Sequence, residues 1–315
     1  MANELNKNIL IIYNPNAGKG KAQKFAKGLV MALGGKSELF CSPSLDVMRD
    51  FYKNNANNPK KYTLFIIIGG DGTIGPHVDS MIKNNIHVPI YAFGKGTAND
   101  FASYFHTNKS IKKAVKIIAN GKLLKIDTIK VDMPNNKLDV HYAVSDTAGG
   151  AFTNGVTKYN KGAKRMFGKL AYKTTAVWKA LWLKSQIVKF TIDGGETGEE
   201  TFQSKIFLFY ILNTKNVGGM KNAGSLAKPN DEMLDLVCIK KCHLWGKLCI
   251  GTSLLFNRLH KCKHVIYRQA KSFNVEIIGK NPIHNFTKTD TDGNVGGDYP
   301  LCVTIGPKVT VLVNN

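Results

Sequence analysis

The polar residues best suited to handling a polyanion sit in glycine-bearing loops that follow apolar runs. Gly69-Gly70-Asp71-Gly72-Thr73 sets one carboxylate among three glycines, directly after the β-branched run Thr63 to Ile68, which has the composition of a buried strand. Glycines remove the Cβ atoms that hold a phosphate off the backbone, and they allow successive N–H groups to converge on it. Asp71 would then lie within reach of a magnesium ion bridging the phosphates. A lone glycine cluster also fits a tight ligand-free turn. Two further stretches weigh against that alternative. Ile9 to Tyr13 runs into Asn14-Pro15-Asn16-Ala17-Gly18-Lys19-Gly20-Lys21, and Pro89 to Phe93 runs into Gly94-Lys95-Gly96-Thr97-Ala98-Asn99-Asp100. The first lacks the Lys-Ser/Thr ending of a P-loop, yet its N–H groups, with Lys19 and Lys21, make a phosphate cradle at a helix start. The third offers Asp100 as a second hard oxygen ligand for Mg²⁺, unless it serves only the helix dipole.

Strands and helices must alternate to present these loops. Strands Ile9–Tyr13, Glu38–Cys41, Leu64–Ile68 and Ile90–Phe93 are expected, with helices over 22–33, 45–53 and 110–119 and a short one reaching about Phe105. That rhythm gives an α/β domain with a parallel sheet, whose ligands collect beyond the carboxyl ends of the strands. From Lys130 the texture changes to long apolar strands, Val140–Ser145, Ile187–Ile192, Lys205–Leu212, Leu234–Ile239 and His264–Tyr267, with a hairpin signal at Asp193-Gly194-Gly195. The expected organisation is an α/β domain over 1–128 that carries the phosphate-suited loops, an antiparallel β-rich, sandwich-like domain over 129–300, and closing strands Leu301–Ile305 and Val309–Val313 within 301–315. A helix over 164–183 places Trp178, Leu181 and Trp182 on one face, either packed on the sheet or forming a lipid-facing lip.

Three motifs in this order, Asn14-Pro15-x-x-Gly18, Gly69-Gly70-Asp71-Gly72-Thr73 and Gly96-Thr97-x-Asn99-Asp100-Phe101-Ala102, resemble the soluble diacylglycerol kinase and sphingosine kinase family of lipid kinases, and the resemblance runs over nearly the whole chain. It implies an ATP- and Mg²⁺-dependent transfer of phosphate to the hydroxyl of diacylglycerol or a related lipid, with nucleotide binding in the first domain and the lipid substrate in the second. By it, Asn14, Pro15, Gly18, Lys19, Gly69, Gly70, Gly72, Thr73, Gly96, Thr97 and Asn99 cradle the nucleotide. Asp71 and Asp100 hold the metal, and Asp127 joins the polar network at the cleft. A structural Mg²⁺ would rest on the Asp231 side chain and the Lys228 and Met233 carbonyls. The chain departs from the family where Gly75-Pro76 replaces Asn-Glu, where Gly94 replaces Pro, where Ser103 replaces Arg and where Glu232 replaces Gly. The gravest departure is Asn294, in place of the Glu of Asp-Gly-Glu that acts as base. An amide cannot take a proton, which leaves Asp292 or Asp298 as substitutes.

The composition, 44 Lys and Arg against 22 Asp and Glu, gives a formal charge of +22 that favours nucleotides and anionic membrane surfaces. Nucleic acid is not the expected partner, and a homodimer is left open. No apolar run reaches the ~18 residues of a membrane span, and Met1 to Asn8 carries no signal peptide, so the expected location is the cytoplasm, peripherally at the inner membrane face. Cys41, Cys238, Cys242, Cys249, Cys262 and Cys302 lack metal spacing and read as reduced thiols. Two other readings remain: an NAD kinase-like enzyme, which would share the Gly-Gly-Asp-Gly-Thr loop, and a catalytically impaired lipid-binding or regulatory relative.

Overall fold

A computed structural model describes all residues except 1–7, 35–36, 56–60, 108–109, 135–139, 151–183, 194–197, 280–285 and 296. Its amino-terminal part is a parallel sheet in the order β2 (Ser37–Cys41), β1 (Ile9–Tyr13), β3 (Leu64–Gly69), β4 (Ile90–Gly94). Every residue of β1, β3 and β4 is buried, and alternate side chains enter different cores. Leu10, Ile12, Phe65, Ile67 and Ala92 face one cluster, and Ile9, Ile11, Ile66, Ile68, Tyr91 and Phe93 face the other. Continuous apolar runs are what a strand covered on both faces requires. The covers are α1 (Lys21–Ala32) and α5 (Ile111–Asn120) on one side, α2 (Leu45–Asn55) and α3 (Asp71–Lys83) on the other.

The remainder is antiparallel. β8 (Gln186–Asp193), β9 (Glu199–Leu212), β10 (Leu234–Lys240), β11 (Val265–Ala270) and β12 (Ser272–Ile277) bury one further core around Phe190, Phe209 and Phe273. β8 and β9 pair as a hairpin, as Asp193 suggested, although Gly194 and Gly195 lie outside the described residues. The helix expected over 164–183, with its tryptophans, is outside them as well.

Two expectations need correction. The closing strands are one element, β15 (Leu301–Val313), which absorbs the apolar break as a register shift between Gly306 and Val309. β15 joins the two regions, pairing with β12 through Leu301–Thr304, with β4 at Val311 and along its length with β5 (Lys122–Asp132). The strand expected over 140–145 stops at β6 (His141–Ala143), and the chain resumes as β7 (Asp146–Gly150) beside β9. The break is local: the amides of Val144, Ser145 and Asp146 turn to a carboxylate, that of Asp292, instead of to a neighbouring strand.

Candidate active site

The three glycine loops meet. Asn14 donates from its backbone N–H to the Ile68 carbonyl at 3.2 Å and from its amide to the Thr73 hydroxyl at 3.3 Å, so the first loop is tied to the second. The Lys95 N–H reaches the Gly69 carbonyl at 2.6 Å, tying the second to the third. A Cβ on Gly70 would stand 2.9 Å from the Gly96 Cα, so these chains can touch only as glycines. Gly18, Lys19 and Gly20 are successive left-handed residues, at φ 60°, 59° and 83°. They turn the chain sharply into α1, and a Cβ on Gly18 would strike the Lys95 carbonyl at 2.6 Å. Lys95, to which the sequence assigned no role, lays its ammonium over the Phe25 and Phe93 rings at 4.4 and 4.8 Å. Burial and the nearby charge of Lys21 depress its pKa.

Carboxylates gather beside the glycines. Asp71, the first residue of α3, accepts the Phe101 N–H at 3.2 Å and so caps the short helix α4 (Asp100–Tyr104). Asp100 accepts the Gly219 N–H at 3.1 Å on either oxygen, which brings the Val217-Gly218-Gly219 loop from beyond β9 onto the site. From the opposite side come β13 (Thr289–Thr291) and β14 (Asn294–Val295) with the turn between them. Asp292 accepts the N–H groups of Val144, Ser145 and Asp146 at 2.7, 2.9 and 3.2 Å. The Gly75-Pro76 departure has its reason here: a Cβ on Gly75 would stand 2.5 Å from the Asp292 Cβ, so glycine in α3 admits that carboxylate. Asn294 reaches the second loop, its Oδ1 3.7 Å from where a Gly72 Cβ would be.

The electrostatics are those of crowded acids. Burial, then the charge of Asp71, raises Asp100 to about 7. Burial raises Asp292 to about 7 against the pull of its three amides, and Asp290 to about 6. Asp71 is raised by burial, and Asp146 is driven well up by burial and then by Asp292. Asp146 and Asp290 were not anticipated as site residues. The signal for Asp146 was available, since Ser145-Asp146 interrupts an otherwise apolar stretch. Asp298, one of the two substitutes named for the missing glutamate, is exposed, whereas Asp292 is buried.

The family model for the diacylglycerol kinase catalytic domain matches residues 8–131, which carry all three loops. Over nearly its whole length the chain is 26% identical across 301 residues to a diacylglycerol kinase of Staphylococcus carnosus (94% of this chain, 91% of the relative). It is 27% identical across 297 residues to one of Bacillus subtilis (92% and 90%). These likenesses support a lipid kinase of the diacylglycerol kinase-like kind. A crystal structure of a diacylglycerol kinase from Bacillus anthracis shares the fold, with a TM-score of 0.70 over 98% of this chain and 97% of that one at 19% identity.

A second acidic group of this lipid kinase sits apart from the first. Asp127, fully buried on β5, receives the Glu232 N–H at 2.9 Å, while its own N–H goes to the Pro229 carbonyl at 2.6 Å. Asn213 donates to both the Asp127 and Val144 carbonyls, at 2.7 and 3.0 Å, so the two groups share one polar frame. Glu232 occupies a left-handed position, φ 59°, which explains the glycine usual there. Its side chain takes the Lys308 ammonium at 2.7 Å, and the same ammonium stands 3.5 Å from Asp127. Asp231 is exposed and accepts the Met233 N–H at 3.2 Å. At this loop a lysine already neutralises the buried charge. A cage of Asp231 with the Lys228 and Met233 carbonyls would have to form beside it.

For a catalytic metal the donor chemistry fits. Among the described residues no three His, Cys, Asp or Glu side chains form a ready cage. A Mg²⁺ delivered on phosphate oxygens needs only one or two carboxylates, and Asp71 and Asp100 are neighbouring carboxylates, raised chiefly by burial and, at Asp100, by the charge of Asp71, which a bound cation would offset.

Proposed function

We propose that this lipid kinase uses Mg·ATP to phosphorylate the hydroxyl of diacylglycerol or a closely related lipid, yielding phosphatidic acid or its equivalent. It would act in the cytoplasm, peripherally at an anionic membrane face. The observation that carries the reading is the meeting of the three glycine loops beside Asp71 and Asp100. The left-handed Gly18-Lys19-Gly20 turn, the Gly70 and Gly96 backbone and the side chains of Lys19, Lys21 and Lys95 would receive the triphosphate. Asp71 and Asp100 would hold Mg²⁺, which when bound would neutralise charge on the transferred phosphoryl group. Asp292 is the proton acceptor for the lipid hydroxyl. Its pKa of about 7 keeps it a useful base near neutrality, and its backbone amides hold it rigid. Asn294, beside Gly72, can hydrogen-bond the acceptor but takes no proton.

The names of the relatives, diacylglycerol kinases, support the lipid acceptor over the NAD kinase-like alternative. Labelled ATP with Mg²⁺ and either mixed micelles of diacylglycerol or NAD separates the two. Wild-type protein is expected to label only the lipid, and Asp71→Asn to lower that turnover by roughly 10²-fold or more. A variant as active as wild type would remove Asp71 from the site, and nucleotide binding with no turnover on any lipid would favour the regulatory relative.

A further inference from the structure

Between β10 and β11 the chain forms a helix, α6 (Leu244–Leu255), that is apolar on both sides. Its inner side, with Gly246, Cys249, Ile250 and Leu254, packs on a small core of Leu208, Tyr210, Val237 and Leu259. The outer side carries Leu244, Trp245, Leu248, Gly251, Thr252, Leu255 and, just past its end, Phe256, spaced three and four apart. Trp245 is 81% exposed, Leu255 82% and Phe256 73%, and no charged residue interrupts the stripe. A surface helix of a globular protein normally turns polar residues outward, and a contiguous apolar patch of aromatic and large aliphatic side chains calls for a partner.

The surroundings say which one. From Lys240 to His264 the sequence has five lysines and one arginine and not a single Asp or Glu. Lys241, Arg258, Lys261 and Lys263 are exposed on either flank of the apolar stripe. Lys247 lies along the helix with its ammonium 5.0 Å from the Phe207 ring centre. An apolar stripe with an interfacial tryptophan, rimmed by positive charge, matches a negatively charged bilayer: the side chains enter the acyl boundary and the cations stay among the headgroups. A protein surface that accepted the stripe would also have to supply acids all round it. At twelve residues, about 18 Å, α6 is too short to span a hydrocarbon core of about 30 Å, so it can only lie along the surface. The core beneath α6 also contains Ala148 of β7 and Val217, two residues before the Gly219 that holds Asp100, so it is continuous with a loop of the site.

We propose that α6 is the membrane-docking element of this protein, lying in the headgroup region of anionic lipid with Trp245, Leu248, Leu255 and Phe256 inserted. The proposal rests on the lipid-acceptor reading above and names the surface by which the enzyme reaches its substrate.

The test uses full-length protein and vesicles of phosphatidylcholine with or without phosphatidylglycerol. Wild type is expected to sediment with the mixed vesicles, more weakly as salt rises, and little with phosphatidylcholine alone. Leu248→Glu with Leu255→Glu is expected to weaken that partitioning about tenfold or more, from the lost apolar insertion. Its melting temperature and its turnover of a short-chain, water-soluble diacylglycerol should stay at the wild-type level. Binding unchanged in the double variant would overturn the proposal. So would a melting temperature several degrees lower, which would mean that the chain's own residues cover the helix, or a wild-type dimer that the variant turns into a monomer. If no diacylglycerol is phosphorylated while vesicle binding still depends on Leu248 and Leu255, the substrate reading fails and the docking surface stands.

Discussion

Two acidic groups sit a short distance apart in this molecule and solve the problem of buried charge in opposite ways. Around Asp127 the counter-ion is built in: Lys308 reaches Asp127 and Glu232 from β15, and the pair lowers the Glu232 carboxyl while raising the Lys308 ammonium. Around Asp71, Asp100, Asp290 and Asp292 the compensation comes from backbone N–H groups, while burial pushes these carboxyls and that of Asp146 up, joined by repulsion from neighbouring acids at Asp100, Asp146 and Asp292, to about 7 for Asp100 and Asp292. Backbone amides orient a carboxylate but neutralise it only in part. The first group is a structural joint with its cation in place, although the Asp127 Oδ1 that faces Lys308 takes no hydrogen bond. The second stays short of positive charge until a ligand brings it, which is how a binding site differs from a brace made of the same residue type.

Removing a charge from the cleft should break that comparison most visibly. Asp100→Asn is expected to cut lipid phosphorylation by about 10²-fold or more. The same substitution should raise the melting temperature of the ligand-free protein by roughly 2–6 °C, because a costly buried charge is gone. A lipid-phosphorylation assay reads the first effect and calorimetry of the ligand-free protein the second, and a melting temperature that falls would mean that Asp100 is structurally satisfied.

The pH dependence comes next. Asp100, Asp235, Asp290 and Asp292 have folded pKa values of about 7, 6, 6 and 7, above the roughly 3.9 of an unfolded aspartate. Between about pH 4 and 7 the folded state therefore holds more protons than the unfolded state, and stability falls as pH rises through that window. Melting temperatures from pH 5 to 8 should decline without ligand and decline less with saturating Mg·ATP. Glu232, with a depressed pKa, acts in the opposite sense, its contribution fading only as pH falls through the acid range.

The smallest effect belongs to the structural joint. Lys308→Ala leaves Asp127 buried without its cation, but Lys308 is itself 42% exposed and water can replace it in part, so only a small loss of stability in urea unfolding is expected. Glu232→Gly, which relieves a left-handed residue as it removes the pair, should change stability by less than Lys308→Ala does.

Much of the amino-terminal half was legible because its physics is local. A strand buried on both faces must be continuously apolar, and a backbone that turns sharply against another must be glycine, so Ile66 to Gly72 announce both the strand and its loop. The carboxyl-terminal half was less so. Val144-Ser145 reads as strand by propensity, yet Asp292, far along the chain, takes its amides. The apolar runs 301–305 and 309–313 look like two strands because a bulge in one strand and a turn between two share a composition. α6 gave no helical signal, since apolar residues all round erase the periodicity by which a surface helix is recognised.

By itself, the sequence determined the three phosphate-suited loops, the parallel sheet behind them and the surplus of positive charge, since each is written in residue type and near-neighbour spacing; the loss of the glutamate at Asn294 shows only against the family it resembles. Only the tertiary structure decided that Asp146 and Asp290 join Asp71 and Asp100, that Gly75 exists to admit Asp292, that Lys308 answers Asp127, and that Trp245 faces outward. Those relations reach far along the chain, spanning 217 positions between Gly75 and Asp292. What brings them together is the pairing of β15 with both halves, a long-range contact that no local pattern encodes.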